Sequence, residues 1–438
     1  MLVRRGAPLG ISVLILVALA LAPAGTACAL SRNAQRLDLR GKALAITNNE
    51  LRYVHGTWFK STFSYETTVA PSYGATGSVV ATQLVEVLPG RKTTVRAEAS
   101  ALYATGIALN KAYYRTNVVK IPPWDAMRRC VAWTNDLAIS YDRDHWGGGW
   151  QSALWTTYMG MGAKQIWKRL PQVTRDLVAR DVAAEANHLL KVPPPYYMDA
   201  TGTILFPGDS KSEEDGWNAS LLLFAAKEFP DNPHSLDWER QGRWYALLAY
   251  ATPNQVGKDA RIQGSNLNPD GTVVNHGRIN PDYMFSMSEM LAKASINYAR
   301  AGKPVPKEVR NNVGLVWSAL TVKRFPVPAF RAPGGTIYRR GKNHTATSQM
   351  YYPVKPDWSS ARRFNAAEMD VEAFALWADG RKPTPYQWAR AHLDYTLRQQ
   401  KRHSDLRTFS PGETSFPEDE QFVAASAAEM TYRLSSMR

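Results

Sequence analysis

Between Asn268 and Met284 the chain reads NPDGTVVNHGRINPDYM. An amide (Asn275), an imidazole (His276), a guanidinium (Arg278) and a phenol (Tyr283) fall in one short stretch. Together such groups can take a proton from a carbon beside a carboxylate: donors steady the developing enolate while a base removes the proton. Asp270-Gly271 is a tight turn into the extended run Thr272 to Val274, which delivers Asn275 and His276, and Gly277 lets the backbone bend after the histidine. Asn280 suits an N-cap, Pro281 a first helical position and Asp282 the positive end of the helix dipole, so Tyr283 is expected in a first helical turn. His276 and Tyr283 can then face one cleft. The plain alternative is a helix start with His276 bonded to backbone.

Three other clusters carry chemistry-bearing residues. In GDSKSEEDGWN, Gly208 to Asn218, Ser210 and Glu213 are expected to form a capping box, with Glu214 and Asp215 in an acidic first turn. Asn218 falls about two turns into that helix, where asparagine is a poor former and needs a ligand or a partner helix. Trp217 beside it is a sugar platform or core. In HWGGGWQ, Trp146, Trp150 and Gln151 flank glycines without the Lys-Ser or Lys-Thr ending of a phosphate loop, which suits a carbohydrate platform or plain packing. From Arg331 to His344, Arg339 and Arg340 stand in a basic, aromatic loop suited to a carboxylate or sulfate, or to water alone. Glu368, Asp370 and Glu372 could orient such arginines. No HExxH, CxxC cluster or GxSxG motif occurs, so zinc-peptidase and serine-esterase readings have no support.

These residues must be held by helices. Apolar spacing and proline-glycine punctuation predict helices from Pro123 to Tyr141, Trp146 to Leu170, Pro171 to Leu189, Ser210 to Glu228 and Pro233 to Ala251. Further ones are expected from Pro281 to Gly302, Pro306 to Arg324, Glu368 to Asp379, Pro385 to Gln400 and Glu418 to Leu434. Thr336 to Tyr338 reads as a short strand. Residues 30–96 give no clear period: Thr57 to Tyr65 is aromatic and β-branched, and Val79 to Leu88 fits strand or helix. The fold class expected is all-α, with helical hairpins closed into an (α/α) toroid and short irregular or β segments between them. A bundle without a ring is the runner-up.

Arg4 and Arg5 followed by the apolar run Ile11 to Ala22, with Ala27-Cys28-Ala29 behind it, read as an export leader over residues 1–29. Twin-arginine export and lipidation at Cys28 are less favoured bacterial variants of it. A single domain is then expected over 30–438, secreted or held at the cell envelope. Cys130 would be its one thiol, leaving no internal disulfide. The formal charge of +15 attracts polyanions. With 14 Trp and 20 Tyr to stack on sugars, the polyanion expected is an acidic polysaccharide rather than nucleic acid. A monomer without stable membrane insertion is anticipated.

The helical array with Asn218, followed by DGTVVNHGRINPDYM, resembles the toroid domain of polysaccharide lyases: chondroitin AC and hyaluronate lyases, heparinase II/III-like proteins and toroid-only alginate lyases. The likeness covers Trp146 to Tyr283, with a shorter His-to-Tyr spacing than the chondroitin-lyase motif and no room for appended β-sandwich domains. It implies β-elimination on a uronate, with no metal or cofactor required. Asn218 and His276 would bind the carboxylate, while Tyr283, its pKa lowered by an arginine, would move the proton. Arg278, Arg331, Arg339 or Arg340 would be that arginine, and Trp146, Trp150 and Trp217 would hold neighbouring sugars. Two rivals remain from the residues themselves. One is a glycoside hydrolase pairing Glu214 or Asp215 with Asp270 or Asp282. The other is a non-catalytic binder of an anionic cell-wall polymer.

Overall fold

The computed structural model describes residues 30–74, 76–88, 94–326, 335–353, 356, 358–359, 361–377 and 380–437. The leader expected over residues 1–29 lies outside them, as do Arg331 and Gly334. The fold is helix-rich with little sheet. Helix α1 (Arg32–Tyr53) starts at Ser31, whose Oγ accepts from the Ala34 amide at 3.3 Å, and a π-helical turn leads on to the short α2 (Phe59–Thr62). Strands β1 (Glu66–Tyr73) and β2 (Val79–Val87) make an antiparallel hairpin. Then come α3 (Val95–Asn110), α4 (Thr116–Val119), α5 (Pro123–Arg143), α6 (Ser152–Gln165) and α7 (Gln172–Leu189). A two-residue β3 (Met198–Asp199) precedes α8 (Ser212–Glu228) and α9 (Ser235–Ala249), and pairs with β4 (Gly264–Ser265). The hairpin β5 (Val274–Asn275) and β6 (Arg278–Ile279) leads into α10 (Pro281–Met284) and α11 (Ser286–Arg300). Last are α12 (Val313–Thr321), the pair β7 (Tyr338–Arg340) and β8 (Ala346–Met350), α13 (Phe364–Leu376), α14 (Pro385–Gln400) and α15 (Asp419–Ser436).

Two kinds of helix divide the labour. In α3 every residue from Ala97 to Ala108 is buried, and α6, α11 and α15 are likewise buried on most sides. Such helices must be central. In α1, α5, α7, α9 and α14 buried positions alternate with exposed ones, so these helices lie outside. Accordingly α3 packs on α6 and α15, α8 on α6 and α11, and α13 on α11 and α15. Outside them, α1 lies on α14 and α15, α5 on α3 and α7, and α9 on α8. Glycine sets the closest approach: a Cβ on Gly162 would stand 2.8 Å from Leu102 Cγ and 3.1 Å from the Tyr103 backbone.

Several sequence expectations need correction. The helix expected from Trp146 begins only at Ser152, because Gly147 to Gly149 sit in turns and Gln151 has φ +67°. The Ser210–Glu213 capping box is absent: the Ser210 hydroxyl donates instead to the Asn266 carbonyl at 2.7 Å. The helix expected from Pro306 is split. Asn312, at φ +58°, donates its amide to Tyr250 O and Gln255 Oε1, so only a 3-10 turn precedes α12. Val79 to Val87 is strand, and Thr57 to Thr62 is helical. The long helices α1 and α3 were not legible.

The contact between α3 and α6 can be tested by crowding. Gly162→Val should destabilise the fold by about 1–3 kcal/mol, the usual cost of overpacking a full core. Gly41→Ala, in exposed α1 with no atom within 4 Å of the new Cβ, should stabilise it by about 0.5–1 kcal/mol. Urea unfolding of both variants checks this, and equal effects would contradict the packing described.

Candidate active site

A cavity of about 730 Å³ opens among the central helices and the loops that join them. His276 and Tyr283 both line it, with the Tyr283 hydroxyl 3.4 Å from His276 Nε2. Their placement follows from local rules. Asn275 pairs with Arg278 across a two-residue hairpin turn made by His276 (φ +50°) and Gly277 (φ +73°). Positive φ at both positions is what such a turn demands. Glycine meets that demand freely; histidine does so at a cost, and strained non-glycine positions gather at functional sites. The turn leaves the imidazole exposed at its tip. Asn280 caps α10 by accepting from the Asp282 amide at 3.2 Å, with Pro281 at the first position, so Tyr283 stands in the first turn as expected.

The hairpin is held from behind. The Gly277 amide donates to Gly208 O at 2.9 Å, and the Ser210 amide to Val274 O at 2.8 Å. Gly208 has φ +77°, and a Cβ there would lie 3.0 Å from Gly277 Cα, so only glycine allows this approach. Asn275 is buried in the cavity wall and donates to Asp209 Oδ1 at 3.2 Å.

Of the other sequence candidates, Trp150, Gln151, Trp217, Glu214 and Asp282 line the cavity. Trp150 is exposed at its mouth, edge-on to the buried Trp217, and Glu214 is paired with Lys211 at 3.2 Å. The rest do not line it. Asn218 stands half-buried on α8 near Tyr245, whose hydroxyl donates to Val192 O at 2.9 Å. Trp146 donates to Ser140 Oγ at 3.1 Å and packs edge-on against Tyr141. Arg278 braces the His276 carbonyl, Arg339 lies over the Tyr351 ring, and Arg340 donates to Thr321 O. Asp270 is tied to Lys323 at 2.6 Å, and Asp215 is buried behind the cavity against Asn266.

The sequence reading passed over Arg96, Lys211, Glu213, Glu289, Trp358, Arg362 and Phe416, which line the cavity. Arg96 and Phe416 come from distant parts of the chain, and no local spacing announces them. Glu213 was read as a cap, though an acid followed by Trp217 on one helix face was a usable signal. Glu289 accepts from Tyr158 at 2.6 Å and from the buried Lys293 at 3.0 Å. Arg362 is buried and paired with Asp419 at 3.0 Å.

The electrostatics reverse one expectation. Burial holds the Tyr283 phenol well above its ordinary value; the Glu213, Asp282 and Asp209 carboxylates push the same way, and Arg362 opposes them only in part. The lowering by an arginine that the resemblance implies therefore does not prevail at Tyr283: burial outweighs Arg362 and holds the phenol protonated. Burial, with the Glu289 and Glu214 carboxylates nearby, also raises Glu213 well above the usual range. Burial and Glu429 do the same for Glu368. Among the described residues no cluster of His, Cys, Asp and Glu is arranged to hold a metal ion, and no described helix is long and apolar enough to cross a membrane. Cys130 is buried and unpaired.

Searches of protein-family models, curated proteins and solved structures find no match to this chain. The chemistry therefore rests on the side chains.

Glu213 offers a direct test of the cavity's desolvation. The fold keeps its proton, while the unfolded chain loses it above about pH 4.3. Its folded pKa is raised, so the contribution to stability is lost as pH climbs from that value. Glu213→Gln removes the penalty and should raise Tm at pH 7 by about 2 °C or more, with little change at pH 4. Calorimetry at both values checks the sign, and an equal shift at the two would contradict it.

Proposed function

We propose that this chain is an exported carbohydrate-active enzyme that cleaves a uronic-acid polymer by β-elimination. The observation that carries the reading is the His276–Tyr283 pair, 3.4 Å apart, in a cavity walled by Trp150, Trp217 and Trp358. Elimination breaks a C–H bond and a C–O bond on adjacent carbons, so its base and acid must stand within a few ångströms of each other. Hydrolysis instead needs two carboxyl groups about 5–9.5 Å apart, on either side of the bond.

The proposed roles follow from the protonation states. His276 takes the C5 proton, the C4–O4 bond breaks as the C4–C5 double bond forms, and Tyr283 gives its proton to O4. The imidazolium then returns its proton to the phenolate it already touches, which resets the pair. The enolate-like charge is offset by Asn275 and by Lys211 and Arg362. Trp150 supplies a face for sugar stacking. A toroid also fits the helix neighbours: α3, α6, α8, α11, α13 and α15 touch in succession and return to α3, with α1, α5, α7, α9 and α14 outside.

Glu213 favours a second reading. A cleft carboxyl that keeps its proton beside the Lys211-paired Glu214 is also what a glycoside hydrolase requires.

Ultraviolet absorbance during incubation with uronic-acid polysaccharides separates the two, because only elimination creates a conjugated double bond. Tyr283→Phe and His276→Ala should each lower the rate by about 100-fold or more, while Glu213→Gln should leave most of it. New reducing ends without absorbance, abolished by Glu213→Gln, would move the assignment to hydrolysis.

A further inference from the structure

Arg96 lies at the start of α3, far in sequence from the His276 turn, yet lines the same cavity. Its guanidinium is held between two rings, 4.6 Å from the Trp155 centroid and 4.8 Å from that of Phe416. Its Nη2 donates to Gln151 Oε1. Among the described residues no carboxylate stands within ion-pair distance of it; Glu418 and Glu213 act only from further off. The other cavity cations are matched, Lys211 by Asp209 and Glu214 and Arg362 by Asp419. The residue that orients Arg96 is itself held unusually: Gln151 has φ +67° at the first turn of α6, beside the exposed Trp150. A half-buried guanidinium has given up water, and its planar edge retains donors for an oxyanion.

We propose that Arg96, oriented by Gln151, is the receptor for an oxyanion on a sugar neighbouring the one that reacts, with Trp150 as the stacking face beside it. The substrate then carries acidic groups on successive sugars, as carboxylates or sulfates, rather than one acidic unit among neutral ones. This rests on the reading of the cavity as a glycan cleft and names the substrate class within it. A bound oxyanion would complete the ion pair that the protein leaves open. Arg96→Lys keeps the charge but loses the planar fork, so it should rescue only part of the affinity.

Calorimetric binding to the full chain in a Tyr283→Phe background, which slows turnover, tests the proposal with three tetrasaccharide probes. These are an oligouronide, its carboxyl-reduced counterpart, and that counterpart sulfated. Arg96→Gln should weaken the oligouronide by about 10- to 100-fold, the usual worth of hydrogen bonds to a charged group. It should leave the reduced probe unchanged, with melting temperature preserved. Gln151→Ala should give a smaller loss with the same charge selectivity. Tight binding of the sulfated probe, sensitive to Arg96, would name sulfate as the source of the oxyanion. Unchanged oligouronide affinity in Arg96→Gln would overturn the proposal, as would failure of the parent to bind either charged probe. Elimination is scored separately by absorbance. Its absence with Arg96-dependent binding intact would sink the lyase reading alone, and its presence with Arg96→Gln unaffected would sink this inference alone.

Discussion

The side-chain amide of Asn266 is the contact on which the site depends. Its Oδ1 accepts from the Tyr197 and Lys211 amides at 2.9 and 3.1 Å. Its Nδ2 donates to Asp215 at 3.0 Å and to Leu248 O and Pro195 O at 3.2 Å. One buried side chain thus joins the segment before α8, the first turn of α8 and the end of α9. Nothing of similar size could meet all these groups, and each one left unpaired in the interior costs about 1–3 kcal/mol. The Asn266 carbonyl accepts from Ser210, and the neighbouring backbone of Gly208 and Ser210 carries the hairpin bearing His276. The turn that bears His276 is therefore a loop clamped from behind by backbone hydrogen bonds.

The floor of the cavity is charged and rigid. Lys293 is fully buried between Glu289 at 3.0 Å and Glu429 at 3.2 Å, with the Tyr158 and Tyr103 hydroxyls on the same carboxylates. Buried charges persist only when paired and hydrogen-bonded in this way. Burial, with the neighbouring Glu289 and Glu214 for Glu213 and Glu429 for Glu368, holds the Glu213 and Glu368 carboxyls well above the usual carboxylate range. The cavity is consequently less negative than its row of acids suggests. The same surroundings hold the Tyr283 phenol well above its ordinary value.

Local code was legible wherever one residue's neighbours in sequence were also its neighbours in space. The α14 helix begins at Pro385 under the Thr384–Gln387 capping box and ends at Gln400, as its spacing indicates. The Asn280-Pro281-Asp282 start places Tyr283 as read, and the Asn275 to Arg278 turn presents His276 as read. The central helix α3 was harder, because it is rich in small residues, is buried on nearly every side and lacks the polar face that gives a period. Asn218 is a candidate because a polar group on an apolar helix needs a partner; the structure places it outside the cavity lining, near Tyr245 on α9.

What the sequence alone determined is the helix-rich character, the tight turn and the cap, since these depend on backbone preferences a few residues apart. It also held the pairing of His276 with Tyr283, because a two-residue turn and one helical turn leave little freedom between them. Only the tertiary structure decided which charges meet that pair. Arg96, Arg362 and Glu213 arrive from three separate segments, while Arg278, Arg339 and Arg340 are spent on backbone and ring contacts elsewhere. The protonation of Tyr283 was settled there too, because desolvation and the sum of distant charges are properties of the packed cavity and of no segment by itself.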